Sequence, residues 1–291
     1  MSRLTSPEKV LWPATERTPA VTKADYAAYL DHVAAAMLPH VRDRAVSLQR
    51  FHGGLGSSGF FQKDAAKTAP AWLRTVTVGK RGGGEVHHPL LQDRRSLQWV
   101  AQVNALTVHV APVRRDRLDR PDRLTIDLDP SSEDFEEVRV AALALGERLR
   151  GHGLVPHAMV TGSRGVHVVC PLRRTRTATE VNAFAAAVAA EEVARDPDHL
   201  TTAFHKDERG SRIYVDVARN APAQTTVAPY SPRARAGGPV AVPLRWEELE
   251  DPGLRPDGWT QRAVLERLDA LGGDPWAAIR RSARGCPAPP A

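Results

Sequence analysis

The chain is poor in cysteine. Only Cys170 and Cys286 occur in 291 residues, too few for a disulfide framework or a cysteine zinc site. That usage fits a reducing compartment. No apolar run approaches the roughly 20 residues that a membrane-spanning helix needs. The opening Met1-Ser2-Arg3-Leu4-Thr5 also lacks the apolar core of a signal peptide, so the expectation is a cytoplasmic protein with no membrane partner. Aromatics are scarce: six Phe and six Trp do not make a broad platform for stacking bases. No internal repeat is present.

What is present supports a folded core. A hydrophobic content of 42% over this length suits one large domain or two small ones. The formal charge of +6 and pI near 9.7 are compatible with a nucleic-acid or polyphosphate partner. Abundant Arg, Ala and Pro also look like the product of a GC-rich genome, which weakens the charge argument.

Chemistry concentrates in three stretches. In Leu124-Thr125-Ile126-Asp127-Leu128-Asp129-Pro130, apolar and polar residues alternate with the period of a half-buried strand. Asp127 and Asp129 then emerge from one side, about 6–7 Å apart along the backbone, which is metal-sharing distance. An Asp-x-Asp triplet is common by chance, and the other stretches give it weight. Thr161-Gly162-Ser163-Arg164-Gly165-Val166-His167 reads as a tight turn between strands whose freed amides, with Ser163, Arg164 and His167, suit phosphate oxygens. The plainer alternative is a hairpin carrying a surface arginine. In Arg209-Gly210-Ser211-Arg212-Ile213-Tyr214-Val215-Asp216 a third carboxylate sits on a buried-looking strand, where it must be paired or neutral. Beside the first two it would complete a metal site.

Around these stretches the pattern predicts a helix from Lys23 to about Met37, opened by a capping box of Thr22 and Asp25, with Tyr26, Tyr29, Leu30 and Val33 inward. Lys9 and Lys23 would form an anion site if they converge at its N-terminus. Strands are expected at Val46–Arg50 and Gly59–Lys63. Adjacent side chains on a strand point to opposite faces, so one of Phe60 and Phe61 can be core while the other, flanked by Arg50 and Lys63, is exposed for base stacking. Residues 78–95 read as a basic loop with His87 and His88 as loop residues. A short helix near Leu97–Ala105 precedes a strand over Leu106–Val110, with His109 on the face opposite Leu106, Val108 and Val110. A helix capped by Ser131 or Ser132 runs to about Arg150, a strand spans Pro156–Val160, and a helix capped at Thr177 with Glu180 runs to about Arg195. Residues 225–235 form a basic loop able to reach a triphosphate tail. Short helices follow at Trp246–Glu250 and Thr260–Leu271, and residues 284–291 are expected to be a disordered tail.

In this order the three motifs resemble the polymerase domain of bacterial ligase D, a member of the archaeo-eukaryotic primase superfamily used in non-homologous end joining. Tyr214-Val215-Asp216 followed by Thr225-Thr226-Val227-Ala228-Pro229-Tyr230-Ser231 carries the third part of the resemblance, which runs from about Leu4 to Ala270. It implies an α/β (α+β) primase fold. An N-terminal α/β module of about 1–105 would precede a catalytic core of about 106–245 with an RNA-recognition-motif-like sheet, and C-terminal helices of about 246–283 would follow. Helices Glu133–Arg150 and Thr179–Arg195 would pack on one face of that sheet, with the carboxylates on the other.

Carried over by position, Asp127, Asp129 and Asp216 match the family's catalytic metal ligands. Ser163, Arg164, Gly165 and His167 match the turn that holds the triphosphate, with arginine where relatives commonly have lysine. His109 and Arg233 match further nucleotide contacts, and Arg209 matches a loop arginine that helps assemble the active arrangement. Lys9 and Lys23 match the pair gripping a downstream 5′-phosphate. Phe60 and Phe61 match the aromatics on which template bases stack, and Gln49 replaces a lysine found in some relatives. The implied activity is templated nucleotidyl transfer at gaps and ends by two divalent cations, manganese preferred over magnesium. It would use nucleoside triphosphates, with a preference for ribonucleotides. The implied partners are DNA with 5′-phosphorylated gaps or ends, the end-binding protein Ku and a separate DNA ligase, at the nucleoid. A primase starting chains de novo and a non-catalytic DNA-end scaffold are the competing readings.

Overall fold

The computed structural model describes residues 4–65, 69–79, 82–132 and 134–289. The chain divides into two units, Met1–Asp116 with Thr225–Val242 and Trp259–Asp274, and Arg117–Gln224 with Pro243–Gly258 and Pro275–Ala291. This corrects the expected run of three consecutive segments. The chain leaves each unit and returns to it, because strands and helices distant in sequence complete the same core.

In the second unit the order strand Arg123–Asp129, helix Phe135–Gly151, strands His157–Val160 and Val166–Arg173, helix Ala178–Arg195, strand Ile213–Asp216 is a split β-α-β arrangement. These four strands lie side by side in the order 213–216, 123–129, 166–173, 157–160, each antiparallel to its neighbour among the four. This is the arrangement of strands and helices that the resemblance implies for the catalytic sheet. Leu124, Ile126 and Leu128 are almost wholly buried on the face covered by the two long helices. Those helices present Phe135, Val138, Ala142 and Leu145, and Val181, Phe184, Ala185 and Val188. Each such Val, Leu or Phe side chain contributes about 1.5–3 kcal/mol by burial. The Thr177–Glu180 capping box opens the second helix as its sequence predicts. The first is capped by Asp134, which accepts from Glu136 N–H at 2.8 Å, not by Ser131 or Ser132. Ser132 Oγ instead accepts from Asp134 N–H in the turn before it. The expected start at Glu133 lies outside the described residues.

The tail is also corrected. Arg284–Gly285 pairs in parallel with Leu172 and Arg173, and Cys286 is buried. Residues 284–286 are therefore bound to the unit by backbone pairing and thiol burial.

In the first unit a four-stranded antiparallel sheet runs Thr226–Val227, Ala105–Val110, Val46–Phe51, Gly59–Gln62. The Thr22–Asp25 capping box forms. The helix it opens, Lys23–His32, is succeeded by a second, Ala34–Val41, and Tyr26, Tyr29, Leu30 and Val33 are all buried. Residues 75–89, expected as loop beyond Val78, form the hairpin Thr75–Gly79 with Glu85–Pro89. His88 is buried there, its Nδ1 2.9 Å from Val46 O, and burial lowers its pKa. Lys80 and Arg81 lie outside the described residues. Among the described residues no helix is long and apolar enough to cross a membrane.

Candidate active site

Strand register decides which polar residues meet. In the second unit Asp127 is paired with Asp216 on one side and with His167 on the other. Directly opposed residues share a face, with about 4.5–5.5 Å between Cα atoms. Asp216, Asp127 and His167 therefore form a row across three strands, on the face opposite the two helices. His167 Nε2 lies 3.5 Å from Asp127 Oδ1. Asp129, one step along the same face, is opposed by Tyr214.

Each carboxylate has an arginine. Arg219, on the short turn Ala218–Asn220, sets its Nε 3.1 Å from Asp216 Oδ2 and 3.8 Å from Asp127 Oδ2. Asp129 receives Arg164 Nη2 at 3.4 Å on one oxygen and Arg209 Nη1 at 3.6 Å on the other. Arg209 lies over the Tyr214 ring at 3.9 Å and donates to the carbonyls of Ala203 and Phe204. Asp216 is only 6% exposed. Burial raises its pKa, the nearby Arg219 lowers it, and Asp127 raises it again. Arg219 was not singled out in the sequence. Its signal was the three-residue spacing from Asp216, which puts the two side chains together only once the chain turns after the strand.

Among the described residues no group of three or more His, Cys, Asp and Glu side chains is arranged to hold a metal ion. The expected trio lies on one face of the sheet, with Asp216 opposed to Asp127 and Asp129 one step along the strand. Asp127 and Asp216 come together, while Asp129 is drawn to Arg164 and Arg209. The donor set nonetheless fits a hard divalent cation, being all carboxylate oxygen, and the guanidinium bridging Asp127 and Asp216 marks where positive charge is required.

The turn above the row forms as expected. Gly162 adopts φ 65°, and Thr161 Oγ1 and N–H both donate to Gly165 O. A Cβ on Gly165 would lie 2.1 Å from Leu128 O, so only glycine lets the turn close against the end of the central strand. Ser163 is half-buried and Arg164 exposed. Asn220, wholly buried, holds Thr125 with its side chain, two residues before Asp127.

The remaining predicted site residues lie in the first unit. His109 shares a sheet face with Ser47 and Val227, and Phe61 reaches it at 5.5 Å between ring centroids. Thr107, on the same face, accepts from Ala234 N–H at 3.0 Å. Trp12 Nε1 donates to Arg233 O. The 225–235 segment is therefore a packed structure rather than an open loop, with Tyr230 buried at φ 66°.

Phe60 and Phe61 are both exposed, at 39% and 58%, against the expectation that one enters the core. The strand lies at the sheet edge, and both rings reach solvent there. Arg50 lies over Phe60 at 5.4 Å and is held by Val103 O and Gln62 Oε1; Lys63 is exposed just beyond the strand. Gln49 opposes Phe61.

Lys9 and Lys23 do converge. Lys23, 3% exposed, donates from Nζ to Gln102 O at 2.8 Å, and Lys9 Nζ donates to His52 O at 3.0 Å. Burial, and then the charge of Lys9, lowers the Lys23 pKa. The helix amides here are largely taken, since Lys23 N–H, Ala24 N–H and Asp25 N–H donate to Lys9 O, Pro7 O and Thr22 Oγ1. Any anion would be met by the two ammonium groups instead.

Comparison with known proteins places this arrangement. The family model described as LigD, primase-polymerase domain, matches residues 22–276. The chain belongs to the LigD primase-polymerase domain family. It is therefore a DNA-directed nucleotidyltransferase of the primase-polymerase type. The multifunctional non-homologous end joining protein LigD of Mycolicibacterium smegmatis is 34% identical over 274 residues, covering 93% of this chain and 35% of that protein. That of Pseudomonas aeruginosa is 33% identical over 94% of this chain and 32% of its own length. The chain thus spans about a third of the curated relatives it matches. The polymerase domain of Mycobacterium tuberculosis ligase D, solved in complex with DNA, superposes with a TM-score of 0.89 at 32% identity. The match covers 97% of this chain and 99% of that one.

Proposed function

We propose that this LigD-family chain fills gaps and extends ends during bacterial non-homologous end joining, by template-directed nucleotidyl transfer with two divalent cations, manganese preferred. The observation that carries the reading is the row of Asp216, Asp127 and His167 across three paired strands. Two close carboxylates disfavour each other's ionisation and are relieved by a cation. Asp127, Asp129 and Asp216 would hold the ions, which when bound make a primer 3′-hydroxyl more acidic and offset charge on departing pyrophosphate.

The chain's own residues do the positioning. Arg164, beside Ser163 on the Gly162–Gly165 turn, offers donors to triphosphate oxygens, and His167 orients Asp127. Such alignment for in-line attack supplies most of the catalysis in phosphoryl chemistry. His109 and Arg233 are assigned by the family resemblance to nucleotide binding, and Arg209 to ordering the site. Phe60 and Phe61, exposed on a strand edge beside Arg50 and Lys63, suit stacking of template bases. A ribonucleotide preference follows the family alone.

Lys9 and Lys23 favour end and gap work over de novo priming, because two converged ammonium groups are useful where a downstream 5′-phosphate exists. Partnership with Ku and a separate ligase rests on the end-joining role of the relatives. The test is primer extension on a gapped duplex with manganese, with and without the downstream 5′-phosphate, using ribo- or deoxynucleotides. Extension stimulated by the phosphate and abolished in Asp127→Ala is expected. Folded protein that binds the phosphorylated gap but extends nothing in any metal would replace this reading with that of an end-binding scaffold.

A further inference from the structure

A close ion pair in the carboxylate row is made by an arginine of the chain itself. Arg219 Nε lies 3.1 Å from Asp216 and 3.8 Å from Asp127, so a guanidinium sits where two opposed carboxylates converge. Its backbone cannot easily move. Ala218 N–H donates to Asp216 Oδ1 at 2.9 Å, and the wholly buried Asn220 is fixed to Thr125. The Arg219 side chain, by contrast, is 39% exposed, against 9% for Asp216 and 17% for Asp127. It can leave only by rotating outward, and the route to solvent is open.

We propose that Arg219 is a resident counter-ion that competes with the divalent cation for Asp127 and Asp216, and thereby sets how tightly the free site takes metal. The inference rests on the reading that these carboxylates hold a cation. Without the guanidinium, the opposed charges repel and a buried carboxylate loses its partner, which is costly. With it, the metal-free site is neutralised, and a cation must first displace the arginine. The apparent affinity is then the intrinsic affinity multiplied by the fraction of time the carboxylates are open. A guanidinium displaced in this way is also free to meet the phosphates that accompany the metal.

The experiment is calorimetric titration of Mn2+ into the full chain without nucleotide or DNA, for wild type, Arg219→Gln and Arg219→Lys, each with and without Asp127→Asn. If Arg219 occupies the site about nine-tenths of the time, Arg219→Gln binds Mn2+ roughly tenfold more tightly. Arg219→Lys, a point charge without the planar fork, falls between at about two- to threefold. Metal-free Arg219→Gln melts below wild type and recovers with Mn2+. Folded Arg219→Gln that binds Mn2+ no more tightly than wild type, or less tightly, overturns the proposal. If Arg219→Gln does not fold, Arg219→Lys decides in the same way. If Mn2+ binding is absent from wild type and variants alike, or is unchanged by Asp127→Asn, the metal reading falls and takes this inference with it. Equal, Asp127-dependent binding by all three defeats the inference alone.

Discussion

Asn220 pairs through its side chain with both backbone groups of Thr125: its Oδ1 accepts from Thr125 N–H at 2.8 Å and its Nδ2 donates to Thr125 O at 2.7 Å. The Ile213–Asp216 strand has ended by then, and the amide stands in for the ladder residue the chain no longer supplies. The central strand is thus held on this side up to the residue two before Asp127. Asn220→Ala would leave a buried N–H and C=O without partners. A loss of about 2–4 kcal/mol of stability is expected, checked by urea unfolding, with polymerase activity falling further than stability alone explains because Asp127 loses its support. Asn220→Asp should be no better, since a carboxylate cannot donate to Thr125 O.

At the other end of the same strand, Gly165 passes so close to Leu128 O that a methyl group would have to displace backbone. Gly165→Ala is expected to cost about 2 kcal/mol or more by overpacking and to shift the Ser163–Arg164 turn. Thermal unfolding together with the KM for nucleotide reads both effects, and an unchanged KM would separate the turn from nucleotide binding.

Phe60 and Phe61 are exposed, so each can be removed at a smaller packing cost than a core ring. Phe61→Ala is expected to leave the melting temperature nearly unchanged while weakening binding to a template overhang. A stacked base is worth about 1–3 kcal/mol, hence a roughly 5- to 150-fold loss, measured by fluorescence anisotropy. A large fall in melting temperature with intact binding would mean that the ring is structural.

His157 gives the second unit a pH-sensitive contact. Its ring meets Trp276 edge-on and Ser282 Oγ at 2.9 Å, and burial, then the charge of Arg150, lowers its pKa to about 4. Because the folded pKa lies below the unfolded value of about 6.5, this contribution is complete above pH 6.5. It is lost progressively as pH falls towards about 4, by up to about 3 kcal/mol. His157→Gln should flatten that part of the stability–pH curve in denaturant titrations at stepped pH.

The alternation of Leu124, Ile126 and Leu128 with polar partners, and the capping boxes at Thr22–Asp25 and Thr177–Glu180, were legible in the sequence because they depend on neighbours within four residues. So was the Asp127–Asp129 pair, whose common face follows from a period of two. The exposure of both Phe60 and Phe61 was not legible, since it depends on that strand lying at a sheet edge. Nor was the Thr75–Pro89 hairpin, whose glycine-rich middle outweighs its strand signal.

The sequence by itself carried the family resemblance through three motifs in order, and it determined the strand of the carboxylates and the Gly162–Gly165 turn through local chemistry. Only the tertiary structure decided that Asp216 and His167 flank Asp127, since strand order and register are set by packing between distant segments. It also decided that Arg219, rather than a third carboxylate, stands against Asp127 and Asp216. A turn after a strand points its side chain back at the site only when the buried Asn220 pins the turn to a strand 95 residues away.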